Sequence, residues 1–494
     1  MTMLDTVVQT QNGALRGQTA DDVTAFKGVP YAAPPFGAWR LAAPQPPQRW
    51  DGVRDAVAFG PTAPHPGYAP PYDVLLPDPV LPGEDCLNLN VWTPDPGAAG
   101  LPVMVWIHGG AFVNGSGAVP TYDGSAFARD GVVLVTINYR LGAEGFLWLE
   151  DGVNNRGLLD QLAALEWVHE NIAAFGGDAG NVTVFGESAG AMSIGALLAT
   201  ERSDGLFRRA ILQSGAGHHT ITPATARLVA AEVRARLGVA PSAAGPDELL
   251  AAQVAVMQDV QLNPDPARWG EVSANMMAFE PVVDGELLTD LPIRCLAAGA
   301  AADVDILAGT TTDEHRLFLV PSGVADATTD DALPVAAALC GLAPATALAT
   351  YRAARPGASA GELLSDLLTD WFFRIPAIRV SEARPASGTA RSWQYEFAWC
   401  SPQLGGRLGA CHAIEVAFAF DTLADESGIP LLGEQPPQQL ADEVHGAWVA
   451  FATSGDPGWP PYDLERRAVM RFDETSTVID DPHAERRVLW DGVR

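Results

Sequence analysis

Gly186-Glu187-Ser188-Ala189-Gly190 sets a serine between two glycines, directly after the β-branched and aromatic run Asn181-Val182-Thr183-Val184-Phe185 and before the helix-forming stretch from Ala191 to Leu198. A strand turning sharply into a helix lifts the serine hydroxyl above the sheet edge, and the glycines remove side chains that would clash in so tight a bend. The start of the helix aims backbone N–H groups at negative charge forming beside Ser188. The chemistry this implies is attack of an activated hydroxyl on a carbonyl carbon.

A second match, Gly357-Ala358-Ser359-Ala360-Gly361, stands in the wrong setting. It follows the helix-like stretch from Ala345 to Arg355 and Pro356 instead of a strand, and Ser359 with Glu362 reads as a capping box for a helix running to Trp371. Ser188 is therefore the expected nucleophile and Ser359 a helix cap.

A serine hydroxyl needs a base to take its proton and donors to hold the oxyanion of the tetrahedral intermediate. The apolar run Val103-Met104-Val105-Trp106-Ile107 has the length of a buried strand and empties into His108-Gly109-Gly110-Ala111-Phe112. Small residues there let the backbone approach a bound carbonyl, as half of an oxyanion hole must.

These two segments, together with Gly83-Glu84-Asp85-Cys86-Leu87-Asn88-Leu89-Asn90, Asn138-Tyr139-Arg140-Leu141-Gly142, Gly157-Leu158-Leu159-Asp160-Gln161 and Phe175-Gly176-Gly177-Asp178, stand in the order seen in type-B carboxylesterases. The chain resembles a bacterial member of that cholinesterase-like family. The match is dense from Val7 to Gly217 and returns around Glu314, His412 and Gly455-Asp456-Pro457. The resemblance implies an α/β-hydrolase fold: a large, mostly parallel central sheet with an N-terminal antiparallel hairpin, helices on both faces and helical cap insertions. It implies one domain over 1–494, with insertions at approximately 60–83, 222–280 and 320–375.

Carried over residue by residue, the resemblance puts the oxyanion donors on the N–H groups of Gly110, Ala111 and Ala189. It puts the base on His412, in Gly409-Ala410-Cys411-His412-Ala413-Ile414-Glu415, and the acid that orients it on Glu314. Glu187 and Ser214 are implied behind the triad, with Ser214 giving a hydrogen bond behind the histidine and acid. Phe112, His218, Ile221, Leu317 and Phe318 are implied to line the substrate pocket. Leu76 falls where cholinesterases carry a choline-binding tryptophan, which argues against a choline ester. Two departures stand out: Ala111 replaces a frequent third glycine, and His315 replaces the glycine that usually follows the acid. Asp313 and Asp284 remain alternatives for the acid. The family's internal ion pairs correspond to Arg40 with Glu84 and Arg140 with Asp160. A histidine base in ordinary surroundings puts the acid limb of kcat/KM within about a unit of 6.5.

The elements that must carry these groups are legible by pattern. Asn12-Gly13 closes an N-terminal hairpin. Strands are expected at Val304 to Ala308, Val469 to Phe472 and Thr477 to Ile479, and helices at Ala224 to Gly238, Thr346 to Trp371 and Gln438 to Thr453. Eight prolines between Gly60 and Gly83 dictate a stiffened loop, expected at the pocket rim. His169 and His445 fall on helix patterns, His65 and His483 in polar proline-flanked loops, and His108 in the oxyanion loop as a backbone support.

At 494 residues and 48% hydrophobic content the chain can bury a large core. Sixty acidic against thirty basic residues, a formal charge of −30, argue against nucleic acid and anionic membrane as partners. The N-terminus lacks the pattern of an export signal and no apolar run reaches spanning length. With an odd count of five cysteines this points to reduced thiols in a cytoplasm, with Asn114-Gly115-Ser116 and Asn181-Val182-Thr183 unglycosylated. No HExxH or paired Cys/His spacing appears, so neither metal nor cofactor is expected. The partner expected is a small-molecule ester, and the protein a monomer or small homo-oligomer. The leading function is a serine carboxylesterase acting on neutral esters through an acyl-enzyme. The alternatives are an amidase or specialised esterase on drug, toxin, phthalate or polyester-derived substrates, and a non-catalytic binding protein on the same fold.

Overall fold

The computed structural model describes residues 4–384 and 389–494. Its strands are β1 (Leu4–Gln9), β2 (Ala14–Ala20), β3 (Val23–Pro30), β4 (Val53–Asp55), β5 (Asn88–Thr93), β6 (Leu101–Ile107), β7 (Val133–Ile137), β8 (Gly177–Glu187), β9 (Arg209–Gln213), β10 (Asp305–Thr311), β11 (Ser392–Phe397), β12 (Ala468–Phe472) and β13 (Thr477–Asp480). They form one sheet in the order β1-β2-β3-β5-β7-β6-β8-β9-β10-β11-β12-β13, with β4 beside β2. From β7 across to β12 every neighbouring pair is parallel; the run β1-β2-β3-β5-β7 and the closing β12–β13 pair are antiparallel, and β4 joins β2 in parallel.

The strand sequences explain why both faces are covered. Side chains alternate across a sheet, so Val103, Val105 and Ile107 enter one core while Met104 and Trp106 enter the other. Ala210 and Leu212 against Ile211, and Ile306 and Ala308 against Leu307, divide in the same way. A strand buried on both faces reads as a continuous apolar run, and a parallel sheet needs helical crossovers on both faces.

The expected elements fall close to their sequence positions. The Asn12-Gly13 turn closes β1 on β2, with Thr10 N–H donating to the Gly13 carbonyl at 3.0 Å. The helix Pro223–Leu237 starts at the Thr222 cap and stops at Gly238, whose φ of 68° ends it, and Gln438–Ser454 forms the late helix. The stretch from 346 to 371 is two helices, Pro344–Ala354 and Ala360–Thr369, separated at Pro356 and Gly357 (φ 83°) as the Ser359 cap implied. The second runs straight into a π-helical turn at Asp370–Arg374. Ser359 Oγ accepts from the Glu362 N–H at 3.3 Å and Glu362 Oε2 accepts from the Ser359 N–H at 2.8 Å, the reciprocal box its spacing suggested. The proline-rich stretch 60–83 holds no strand and only a short helical turn at Tyr72–Val74. Among the described residues no single helix is long and apolar enough to cross a membrane.

The two ion pairs implied by resemblance separate here. Arg140 and Asp160 meet in a two-pronged pair, 2.7 Å from Nη2 to Oδ1 and 2.8 Å from Nε to Oδ2, with side chains 2% and 0% exposed. Asp160 also accepts from the Arg140 N–H at 3.0 Å. Arg40, by contrast, pairs with Glu144 at 2.7 Å and not with Glu84, which is solvent-exposed on the proline-rich loop. Arg40 also reaches the Pro241 carbonyl, so it ties the segment between β3 and β4 to the stretch after the helix Pro223–Leu237.

Removing one member of a buried pair leaves the other charge unsolvated, a cost of about 3–5 kcal/mol. Asp160→Asn, which keeps the shape and loses the charge, is therefore expected to lower the denaturant midpoint markedly. An unchanged midpoint would show the pair to be energetically neutral.

Candidate active site

Three segments expected to carry the chemistry leave the carboxyl ends of parallel strands in the middle of the sheet. His108 to Ala111 follows β6, Ser188 follows β8, and Asp313-Glu314 follows β10. Strand β9 lies between β8 and β10, so at about 4.8 Å per strand the serine and acid segments are roughly 10 Å apart. That gap is too wide for a direct contact and suits an intervening imidazole.

Ser188 sits at φ 54°, ψ −124°, a conformation L-residues resist. It is the cap of the helix Ala189–Leu197, and its N–H donates to the Gln213 carbonyl on β9 at 2.9 Å. The flanking glycines are dictated by contact: a Cβ at Gly186 would lie 2.6 Å from the Ile107 carbonyl oxygen, and one at Gly190 would overlap that same oxygen. A Cβ on Gly109 would press on Ser188 Cβ at 3.2 Å and on the Glu187 carboxylate at 2.8 Å, so the oxyanion loop lies hard against the elbow. The N–H groups of Gly110, Ala111 and Ala189 donate no hydrogen bond within the described residues. Ala111 stands at φ 53°, where glycine would be unstrained. His108 stacks on Tyr139 with centroids 4.5 Å apart, and burial pushes its pKa down to about 4, so it is a neutral support.

His412 reaches the cavity from the loop after β11. Its Nδ1 is 2.6 Å from Glu314 Oε2, and Glu314 Oε1 accepts from the Thr311 N–H at 2.9 Å, which aims the carboxylate. The acid and histidine loops are zipped together: Asp313 N–H donates to the Ala410 carbonyl at 2.9 Å, and Ala410 N–H to Asp313 Oδ2 at 3.1 Å. Asp313 is further engaged by Arg316 at 3.0 Å, and Asp284 by Asn155 at 2.8 Å; neither touches His412.

His412 Nε2 is 2.9 Å from Glu187 Oε1, and the Ser188 hydroxyl makes no hydrogen bond among the described residues. Burial alone would lower the His412 pKa, but the carboxylates of Glu187 and Glu314 outweigh it and hold the imidazole well above histidine's ordinary value. A third carboxyl, Glu415, is fully buried beside them; burial, then the Glu187 and Glu314 charges, push its pKa up, so it is held as the neutral acid. Gln213 Nε2 approaches it at 3.5 Å. Its signal in sequence is its place three residues after His412. Ser214 Oγ, expected to bond behind the triad, is buried without a hydrogen-bond partner, while its N–H donates to the Gly309 carbonyl at 2.9 Å.

Ser188, Gly110, Ala111 and His412 open on a cavity of about 530 Å³. Leu317 and Phe318 line it; Phe112, His218 and Ile221 do not. Phe112 buries its ring against Phe146, centroids 5.0 Å apart, which removes more apolar surface from water than facing an open cavity would. Ile221 is held by backbone bonds to Pro281 and Val283, and His218 is half-buried beside the buried His219, whose Nε2 is 2.8 Å from the Phe372 carbonyl. Tyr68 and Tyr72 line the cavity from the proline-rich stretch expected at the rim, and the lining residues that sequence did not single out include Tyr122, Met276 and the π-helical turn Trp371 to Phe373. The proline-rich rim is latched by Tyr72, which donates to the Phe318 carbonyl at 2.8 Å, and by His65, which is buried 3.0 Å from Asp78. No group of three metal-ligating side chains converges among the described residues.

A sequence model of the carboxylesterase family matches residues 4–490. The chain is 39% identical to the para-nitrobenzyl esterase of Bacillus subtilis (strain 168), over 98% of each chain, and 36% identical to the phenmedipham hydrolase of Pseudarthrobacter oxydans, over 97% of this chain and 96% of that one. Its structure is similar to that of a Geobacillus stearothermophilus carboxylesterase, with a TM-score of 0.86 at 39% identity, covering 98% of this chain and 100% of that chain.

The geometry sets the direction of a pH effect. If the imidazole must be neutral to act as a base, its raised pKa moves the acid limb of kcat/KM above histidine's ordinary ~6.5. Glu187→Gln removes one of the two raising charges and is expected to bring the midpoint down. A wild-type midpoint at or below 6.5, measured on an uncharged ester from pH 5 to 10, would contradict the carboxylate environment described.

Proposed function

The chain belongs to the carboxylesterase family and is a carboxylic ester hydrolase, and on that premise we propose that Ser188, His412 and Glu314 are its catalytic triad. The observation that carries this is the buried Glu314–His412 pair, 2.6 Å long, opening on the same cavity as the strained serine and the free N–H groups of the oxyanion loop. In the acylation step Ser188 Oγ attacks the ester carbonyl and His412 Nε2 takes the hydroxyl proton. The oxyanion is met by the N–H groups of Gly110, Ala111 and Ala189, and His412 returns the proton to the leaving alcohol. Water then attacks the acyl-enzyme by the same route and releases the acid. Glu314 fixes the tautomer with its proton on Nδ1. Glu187 competes with Ser188 for Nε2, so the base becomes available as the imidazole loses its extra proton.

The substrate read from the cavity is a neutral, largely apolar ester. Among the described residues no arginine or lysine lines it, and Arg316, two residues past the acid, is spent on Asp313 outside it. The negative average charge of −30 acts in the same direction, slowing the approach of anionic esters. A similar protein is a para-nitrobenzyl esterase, which makes p-nitrobenzyl and p-nitrophenyl esters the first compounds to try. We read the protein as cytoplasmic, with reduced thiols, acting on a small molecule as a monomer or small homo-oligomer; the odd cysteine count and acidic composition support this.

Ser188→Ala is expected to abolish both ester turnover and covalent labelling by an organophosphate, while Ser359→Ala leaves both in place. Labelling lost only in the Ser359 variant would overturn the assignment. For the acid, Glu314→Gln is expected to cost about 10⁴-fold in kcat by populating the wrong tautomer, and Asp313→Asn far less. The reverse ranking would move the role to Asp313.

A further inference from the structure

His315, immediately after the catalytic acid, puts an imidazole into the wall of the cavity. Its ring meets Phe318, Phe372 and Phe373 at centroid distances of 5.5, 6.0 and 5.3 Å. Phe318 and Phe373 also meet the His412 ring, at 5.3 and 4.7 Å, so His315 stands one phenyl ring away from the base. Its N–H on the backbone donates to Thr369 Oγ1 at 3.2 Å, which fixes the residue. Among the described residues, however, neither nitrogen of its ring has a hydrogen-bond partner, and Nδ1 is sealed from solvent. The residue is partly exposed and lines the cavity, and Nε2, unlike Nδ1, is not sealed from solvent. Burial, then the nearby His412, push its pKa down to about 3, so the ring is neutral at working pH and can donate or accept but exerts no pull on a carboxylate.

A purely apolar filler would be satisfied by phenylalanine at this place. An imidazole whose open nitrogen has no partner in the protein offers a hydrogen bond that a ligand atom can complete. A site of this kind favours a partner carrying the matching group over one that lacks it. Resting on the ester-hydrolase reading above, we propose that His315 is a specificity-determining residue, hydrogen-bonding an uncharged polar group, such as an ether, ketone or hydroxyl oxygen, on the substrate away from the scissile ester. The preferred substrates are then neutral esters carrying a second, uncharged oxygen function rather than plain hydrocarbon esters.

The test uses binding, so that it stands apart from turnover. In the Ser188→Ala protein, calorimetry compares p-nitrophenyl hexanoate with its 3-oxa, 4-oxa and 5-oxa analogues, and ethyl benzoate with esters carrying the oxygen in the alcohol arm. One oxa position is expected to bind about threefold to tenfold tighter than its parent. His315→Phe in the same background, which keeps the aromatic contacts, is expected to erase that ratio, and His315→Gln, which keeps a hydrogen-bonding group, to restore part of it. Because each ratio is taken within one variant, a general loss of affinity does not disturb it. No favoured oxa position, or the same ratio in His315→Phe, would overturn the proposal, as would tighter binding of an analogue ending in a carboxylate. Turnover remaining in Ser188→Ala would instead sink the nucleophile assignment; the ratio is then read from kcat/KM and still decides the role of His315.

Discussion

Ser188 is held in a backbone conformation that costs of the order of 1–3 kcal/mol, and the carboxyl ends of three strands are arranged to keep it there. Its N–H is pinned by Gln213 on β9, its carbonyl accepts from Met192 N–H at 2.9 Å in the helix, and the Ile107 carbonyl at the end of β6 occupies the space that side chains at 186 and 190 would need. The strain is therefore distributed over a sheet whose neighbouring strands are buried on both faces. Such a frame is stiff because its interior is close-packed and cannot relax a single turn without moving its neighbours. The same contact that enforces the bend brings Gly109 against the serine, so the elbow and the oxyanion loop are placed by one act of packing.

The second constraint is electrical. Two carboxylates address the two nitrogens of His412 in a site cut off from bulk water, and a third carboxyl, Glu415, can be accommodated there only by keeping its proton. The cluster thus carries fewer charges than its composition suggests. Glu314 and Glu187 are not equivalent: the first is anchored by the Thr311 N–H and cannot turn away, whereas the second occupies the nitrogen that the proposed triad assigns to the serine. A proton on the imidazole favours the Glu187 contact, and its loss frees Nε2 from it.

Motifs whose meaning is local were legible in the sequence. The strand-to-helix serine turn, the Asn12-Gly13 hairpin, the Ser359 capping box and the parallel strands all depend on residues within a few positions of one another. Features that depend on which way a side chain faces after packing were not. Phe112, one residue past the oxyanion loop, turns into the core; Ile221 and His218 face other neighbours; and Arg40 finds Glu144 instead of Glu84. The cavity wall at Met276 and at the π-helical turn of Trp371 to Phe373 comes from segments far apart in the chain, with no periodicity to mark them. Ser214 illustrates the limit of resemblance itself: the residue type is present, yet its hydroxyl is left without a partner.

The proline-rich rim carries a further consequence. Tyr68, Tyr72 and Leu75 to Pro77 shape the mouth of the cavity from one continuous stretch that contributes no strand to the sheet and no residue to the proposed triad. Its own clasps, His65 with Asp78 and Tyr72 with the Phe318 carbonyl, hold it in place independently of the serine elbow. Substitutions there alter what enters without touching the strained turn or the buried carboxylates. The chain thus keeps an inheritable division of labour, in which the range of compounds processed can drift over generations while the reaction itself stays fixed.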